Sequence, residues 1–154
     1  MDPTFELAMR LVAATMIGGA IGLNRDLHGK ATGVRTMGLV GLGAALIVVA
    51  GVLVGGEGDA TRAVQGVITG IGFLGAGVIV KDATGSHIHG LTTAATIWLT
   101  AALGVTCGLG YWGLSLVALA LSLVILLVGR PLEKAVRARW PHKPDDADPH
   151  VPTL

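Results

Sequence analysis

The sequence is short of charge. Asp, Glu, Lys and Arg make up 14% of its 154 residues, against roughly 25% in soluble domains. The shortage is uneven, for no Asp, Glu, Lys or Arg occurs between Ala83 and Gly129. Hydrophobic residues make up 52% of the chain and the mean hydropathy is +0.71. A soluble fold of this size could not hide that much apolar surface, so a membrane protein is expected. Cysteine is nearly absent. Cys107 alone excludes an intrachain disulfide, and within its apolar run it reads as a small buried hydrophobe. The start, MDPTFE, has no basic n-region, and no A-x-A-like site follows the first apolar run, so no cleavable signal peptide is expected. A hydrolase elbow, a metalloprotease helix and a Walker lysine are all missing. An enzyme is therefore not expected, and no catalytic residue, metal or cofactor is assigned.

What is present is a series of apolar runs near the ~20 residues that cross a bilayer. They fall at Phe5 to Leu23, Thr36 to Gly56, and Ala63 to Val80. The uncharged stretch from Ala83 to Gly129 fits two more, divided by GLGYWG at Gly108 to Gly113. The expected fold is all-α and polytopic, with about five transmembrane helices over residues 1–129. Orientation follows from Lys and Arg in the short loops. Arg25, Lys30, Arg35, Lys81, Arg130, Lys134, Arg137, Arg139 and Lys143 fall on one side, and Arg62 falls on the other beside Glu57 and Asp59. This places the N-terminus outside and the C-terminus in the cytoplasm. Beyond Pro131, Leu132, Val136 and Trp140 recur every four residues among basic residues. Segment 130–140 reads either as a basic amphipathic juxtamembrane helix or as a plain stop-transfer flank. The Pro- and Asp-rich tail, 141–154, is expected to be disordered.

Glycine is plentiful, with 24 in the chain. GIGFLGAG, Gly70 to Gly77, contains G-x-G-x-x-G, the spacing of a dinucleotide site. Only AGVIV follows before Lys81 and Asp82, and position 95 is Ala where an acid would bind ribose, so the nucleotide reading fails. Small residues at four-residue spacing instead allow helices to pack closely in lipid. Ala14, Gly18 and Gly22 form such a row, as do Gly66 and Gly70, Gly72 and Ala76, and Thr100, Gly104 and Gly108. Gly70, Gly72, Gly75 and Gly77 do not share one face. Four glycines in eight residues weaken a helix by about 1 kcal/mol each. A bent or broken helix lining a pore or substrate site is the expectation for this run.

Polar residues are few enough to name. Glu6 and Arg10, four apart, and Asp59 and Arg62 form a candidate outer polar cluster, weighed against separate interfacial charges. On the inner side, Asn24, Arg25, Arg35 and Thr36, with Thr92, Thr93 and Trp98, make a candidate anion or partner site. The competing reading has those hydroxyls bonding back to their own helix. Asp82, His87 and His89 are too few and too loosely placed to argue for a metal.

Four blocks, GGAIGLNR at 18–25, GVRTMGLVGLGAAL at 33–46, GIGFLGAGVI at 70–79 and GLTTAATIWLTAALGVTCGLG at 90–110, resemble the MgtC/SapB family. The likeness covers roughly residues 7 to 128 in the family's order. It implies a bacterial inner-membrane protein of about five spans, linked to magnesium limitation and, in pathogens, to survival inside host cells. It also implies restraint of the F-type ATP synthase and an influence on membrane potential. By position, the family's signature residues fall on Gly22, Arg25, Gly33, Arg35, Thr36, Gly70, Gly72, Phe73, Gly75, Gly77, Gly90, Leu91, Thr93 and Trp98. Asn24 stands where the family often has Glu, Met37 where His or Asn is frequent, and Gln65 is one position out of register. These departures weaken a metal or proton site on the inner face. The resemblance is to the membrane domain alone, without the soluble C-terminal domain that some members carry.

Two functions follow as expectations. One is a membrane regulator that packs through its small-residue faces against a larger complex, with the F-type ATP synthase as the implied partner. The other is a small ion or solute transporter or channel subunit using GIGFLGAG. Five spans are few for a pathway, so a homodimer or higher oligomer is expected. The lipid bilayer is the other partner, and nucleic acid is not one.

Overall fold

A computed structural model describes residues 2–81 and 88–140. Four helices, with a two-residue hairpin between the second and third, make up the described fold. They are α1 (Pro3–Leu27), α2 (Val34–Gly77), β1 (Val80–Lys81), β2 (Ile88–His89), α3 (Leu91–Gly108) and α4 (Trp112–Arg139). The strands pair antiparallel, Val80 with His89 and Lys81 with Ile88. Long apolar stretches suited to crossing a membrane occur in each helix: Pro3–Leu27, Val34–Gly55, Leu91–Gly108 and Trp112–Val136. The protein is thus an all-α, multi-pass membrane protein.

Local chemistry sets the helix ends. Asp2 caps α1 by accepting from the Thr4 N–H at 2.9 Å, with Pro3 in the first turn. Gly29, at φ +61°, closes the other end. Its N–H reaches the Asp26 carbonyl, and the Lys30 N–H reaches that of Arg25. α2 starts at Gly33, which has no side chain to cap it. The Asp26 carboxylate does so from eight residues away, accepting from the Val34 N–H at 2.9 Å. A Cβ at Gly33 would occupy the space of that carboxylate.

α2 is the element that sequence periodicity misjudges least and boundaries misjudge most. Its 44 residues are helical throughout, yet they form two limbs. A Cβ at Gly51 would lie 3.0 Å from the Ala63 Cβ, whereas twelve residues of straight helix span about 18 Å. The chain therefore reverses near residues 51–63, and the second limb, ending at Gly77, supplies the fifth apolar segment. The expected span at 36–56 falls in the first limb, and the one expected at 63–80 is helical only as far as Gly77, with Val80 already in β1.

The interior is built by close approach of α1, the first limb of α2, and α3. Gly18 lies against the backbone of Met37, Gly22 against that of Gly33 and Val34, Gly104 against Gly41, and Gly108 against Ala45. Gly41 also abuts the Ala14 carbonyl, so it is the small residue shared by both crossings. Around this spine pack Met37, Ala44, Val48, Val67, Ile71, Ile97, Ala101 and Val105. Cys107 is fully buried, as its apolar setting implies.

Residues 2–123 and the stretch from Val124 onward form separate compact units. In the first, Ser115 near the start of α4 is buried, and its hydroxyl lies 2.7 Å from that of Thr106. In the second, α4 stays helical through Pro131 to Arg139, so the basic segment from 130 is an extension of that helix. The tail at 141–154, Asp82 and His87 lie outside the described residues.

Candidate functional site: the polar helix ends and the α2 groove

Arg25, in the last turn of α1, is 3% exposed. Its Nη2 donates to the Thr93 hydroxyl at 2.6 Å and to the Ala31 carbonyl at 3.0 Å. Its Nη1 donates to the Thr96 hydroxyl at 3.3 Å, and its Nε to the carbonyls of Ala31 and Thr32, also at 3.3 Å. One planar guanidinium thus fastens α1, the 28–33 loop and α3 together. The fixed fork holds Thr32 at φ +65°, a left-handed conformation that β-branched residues rarely adopt. Gly90, at φ +94°, begins α3 beside this cluster. A Cβ there would strike the Val78 carbonyl, which keeps the hairpin pressed to the helix start.

The expected inner site is only partly assembled. Arg25 and Thr93 meet. Asn24 is half-buried, while Arg35, Thr36 and Thr92 are exposed, and no hydrogen bond joins the Arg35 side chain to any described residue. Trp98, 49% exposed, lines a 180 Å³ cleft between α3 and the second limb. Sequence reasoning missed Thr96, and the signal was there: it lies one turn from Thr93 on the same face. Thr96 and Thr100 also bond back to the carbonyls of Thr92 and Thr96.

At the opposite end, Arg10 donates to the Gly108 carbonyl at 2.9 Å and pairs with Glu6. A cation at the C-terminus of α3 is favoured by the helix dipole. Asp59 and Arg62 form their own exposed pair, and no bond links the two pairs among the described residues. The four side chains expected as one outer cluster are two separate pairs.

The expectation of a broken helix at GIGFLGAG is corrected. The run is helical through Gly77. Backbone groups within the run bond along the helix, and at its end the Gly75 and Ala76 carbonyls accept from the Val78 and Ile79 N–H groups, so lipid's demand for paired backbone outweighs glycine's poor propensity. The glycines of this limb also differ from those of α1 and α3. A Cβ at Gly66, Gly70, Gly72 or Gly77 would meet nothing within 4 Å, and one at Gly75 would make an ordinary contact with Ala94. The rows at Gly66 and Gly70, and at Gly72 and Ala76, therefore pack no described helix, unlike the rows in α1 and α3. Two surfaces result. One is an apolar groove of about 450 Å³ between the limbs of α2, with Thr36, Gly43 and Ile47 on one wall and Gly66, Gly70 and Leu74 on the other. The second is an exposed stripe of Thr69, Gly72, Phe73, Ala76 and Gly77, on which Phe73 is 84% exposed.

Comparison with known proteins fits this architecture. The MgtC family profile matches residues 11–135. Protein SrpB of Synechococcus elongatus is 41% identical over 150 residues, covering 87% of this chain and 81% of its own. Protein MgtC of Brucella abortus is 42% identical over 130 residues, and Protein MgtC of Salmonella typhimurium is 38% identical over 133. These alignments cover 84% and 86% of this chain, which spans about half the length of those two relatives, 54% and 55%. No solved structure gives a significant match. With its profile match across most of the described helices, the chain belongs to the MgtC family.

Proposed function

We propose that this MgtC-family protein is a regulator of the bacterial inner membrane without chemistry of its own. It acts by helix-to-helix contact with a larger membrane complex under magnesium limitation, and the F-type ATP synthase is the partner to test first. The N-terminus lies outside and the C-terminus in the cytoplasm, a reading supported by Lys30 and Arg35 at one end and Arg62 with Asp59 at the other. The observation that carries the proposal is the exposed stripe on the second limb of α2. Exposed Ala76 and the glycines Gly72 and Gly77 flank the projecting Phe73, and a Cβ at either glycine would meet nothing within 4 Å among the described residues. Small residues around a large one suit close approach by a partner helix in lipid.

A transporter needs a polar path, and less supports it. The GIGFLGAG run is helical, the α2 groove is apolar apart from Thr36, and the interior is filled by Met37, Val48 and Ile97. The test is cross-linked affinity purification of tagged protein from membranes grown at low magnesium. Recovery of ATP synthase subunits with wild type, and their loss with Gly72→Leu, is the expected result. Recovery of the chain with copies of itself only would sink the proposal.

A further inference from the structure

The α2 groove lies on a different face of the second limb from the partner stripe, so it is free for another occupant. We propose that it holds one acyl chain of an anionic phospholipid, with the lipid phosphate at Arg35. Along the first limb, the lining residues Thr36, Leu39, Val40, Gly43 and Ile47 recur at three- and four-residue spacing and form one stripe. Arg35 directly precedes Thr36 at the end of the groove and is four residues before Leu39, which puts it on the Leu39 flank of the lining stripe. Its exposed side chain has no hydrogen bond to a described residue. The nearby Asp26 carboxylate is taken up by the Val34 N–H, and exposed Lys30 adds positive charge to the same loop. A guanidinium at this depth suits a lipid phosphate.

Length selects a lipid over a partner helix. From Thr36 to Ile47 the groove runs about 16 Å at 1.5 Å per residue. That is about half of a ~30 Å hydrocarbon core, the depth of one leaflet. A crossing helix would need a groove of the full thickness. Gly43, Gly66 and Gly70 keep the groove open, since a Cβ at each would meet nothing within 4 Å.

The test is native mass spectrometry of the full chain in detergent, with phosphatidylglycerol and phosphatidylcholine bearing identical chains. Wild type should retain phosphatidylglycerol about fivefold better, the effect of one basic residue at a membrane surface. Arg35→Gln should bring the two lipids to parity, and Gly70→Leu should reduce retention of both while circular dichroism stays unchanged. Gly43→Leu, on the opposite wall, repeats the test if Gly70→Leu does not fold. Equal retention by wild type would overturn the proposal. So would a phosphatidylglycerol preference that survives Arg35→Gln, or groove-filled variants that retain lipid as wild type does. A dimer lost in Gly70→Leu with lipid retention unchanged would assign the groove to a second copy instead.

Discussion

At Arg25 the acceptors of three segments converge on one buried side chain: Ala31 and Thr32 from the loop, and Thr93 and Thr96 from α3. Arg25→Ala would leave these polar atoms short of a donor, which costs about 3 kcal/mol for hydrogen bonds to a charged group. Arg25→Lys should not rescue it, because an ammonium cannot reproduce the planar fork. Thermal melts in detergent should show both variants several degrees below wild type, with Lys closer to Ala than to Arg. Part of this cluster was legible in the sequence. Arg25 and Thr93 stand out as polar residues at the ends of apolar runs. The backbone carbonyls of Ala31 and Thr32 are not legible, since no side chain announces them.

Glycines divide the same way at the residue scale. At Gly41, a Cβ would meet the Ala14 carbonyl, while at Gly66 it would meet open space. Gly41→Ala should therefore destabilise by about 2 kcal/mol through forced separation of α1 and α2. Gly66→Ala should be neutral or stabilising by up to about 1 kcal/mol, as expected for Gly in an exposed helix. Denaturation in mild detergent distinguishes the two, and equal effects would show that the spine is not packed as described. Four-residue spacing marks Gly18, Gly22, Gly66 and Gly70 alike. Spacing identifies a small-residue face but not whether a helix of the same chain covers it.

At the scale of elements, the apolar runs coincide with the four long apolar stretches suited to crossing a membrane and with the second limb of α2, because lipid demands long uninterrupted apolar stretches. What they miss is how segments join. The turn between the limbs of α2 stays helical past Glu57 and Asp59, residues that read as a loop from charge alone. The glycines at Gly51 and Gly55 let the limbs close against Ala63 and Asp59. Gly51→Leu should push the limbs apart and lower the melting temperature more than the same change at Gly43, where space is open. At the other crossing, Arg10→Gln would lose the charge at the C-terminus of α3 and its pair with Glu6. A loss of about 1 kcal/mol is expected, and salt should not abolish the difference because Arg10 is mostly buried.

For the whole molecule, the five spans expected from the sequence predict that the two ends of the chain lie on opposite sides of the membrane. Cys107 is buried and should resist thiol reagents until the protein is denatured. Lys30→Cys should then label only from the cytoplasm, and Gly58→Cys only from outside. The reverse pattern would invert the orientation read from basic residues.

The deciding measurement is proton pumping by ATP synthase in liposomes, with and without this chain in the same bilayer. Contact through the second limb of α2 predicts that wild type lowers ATP-driven pumping, that Gly72→Leu does not, and that the chain alone carries no ion flux. Flux from the chain alone, abolished in Gly72→Leu, would contradict a regulator and make this protein a conductor in its own right.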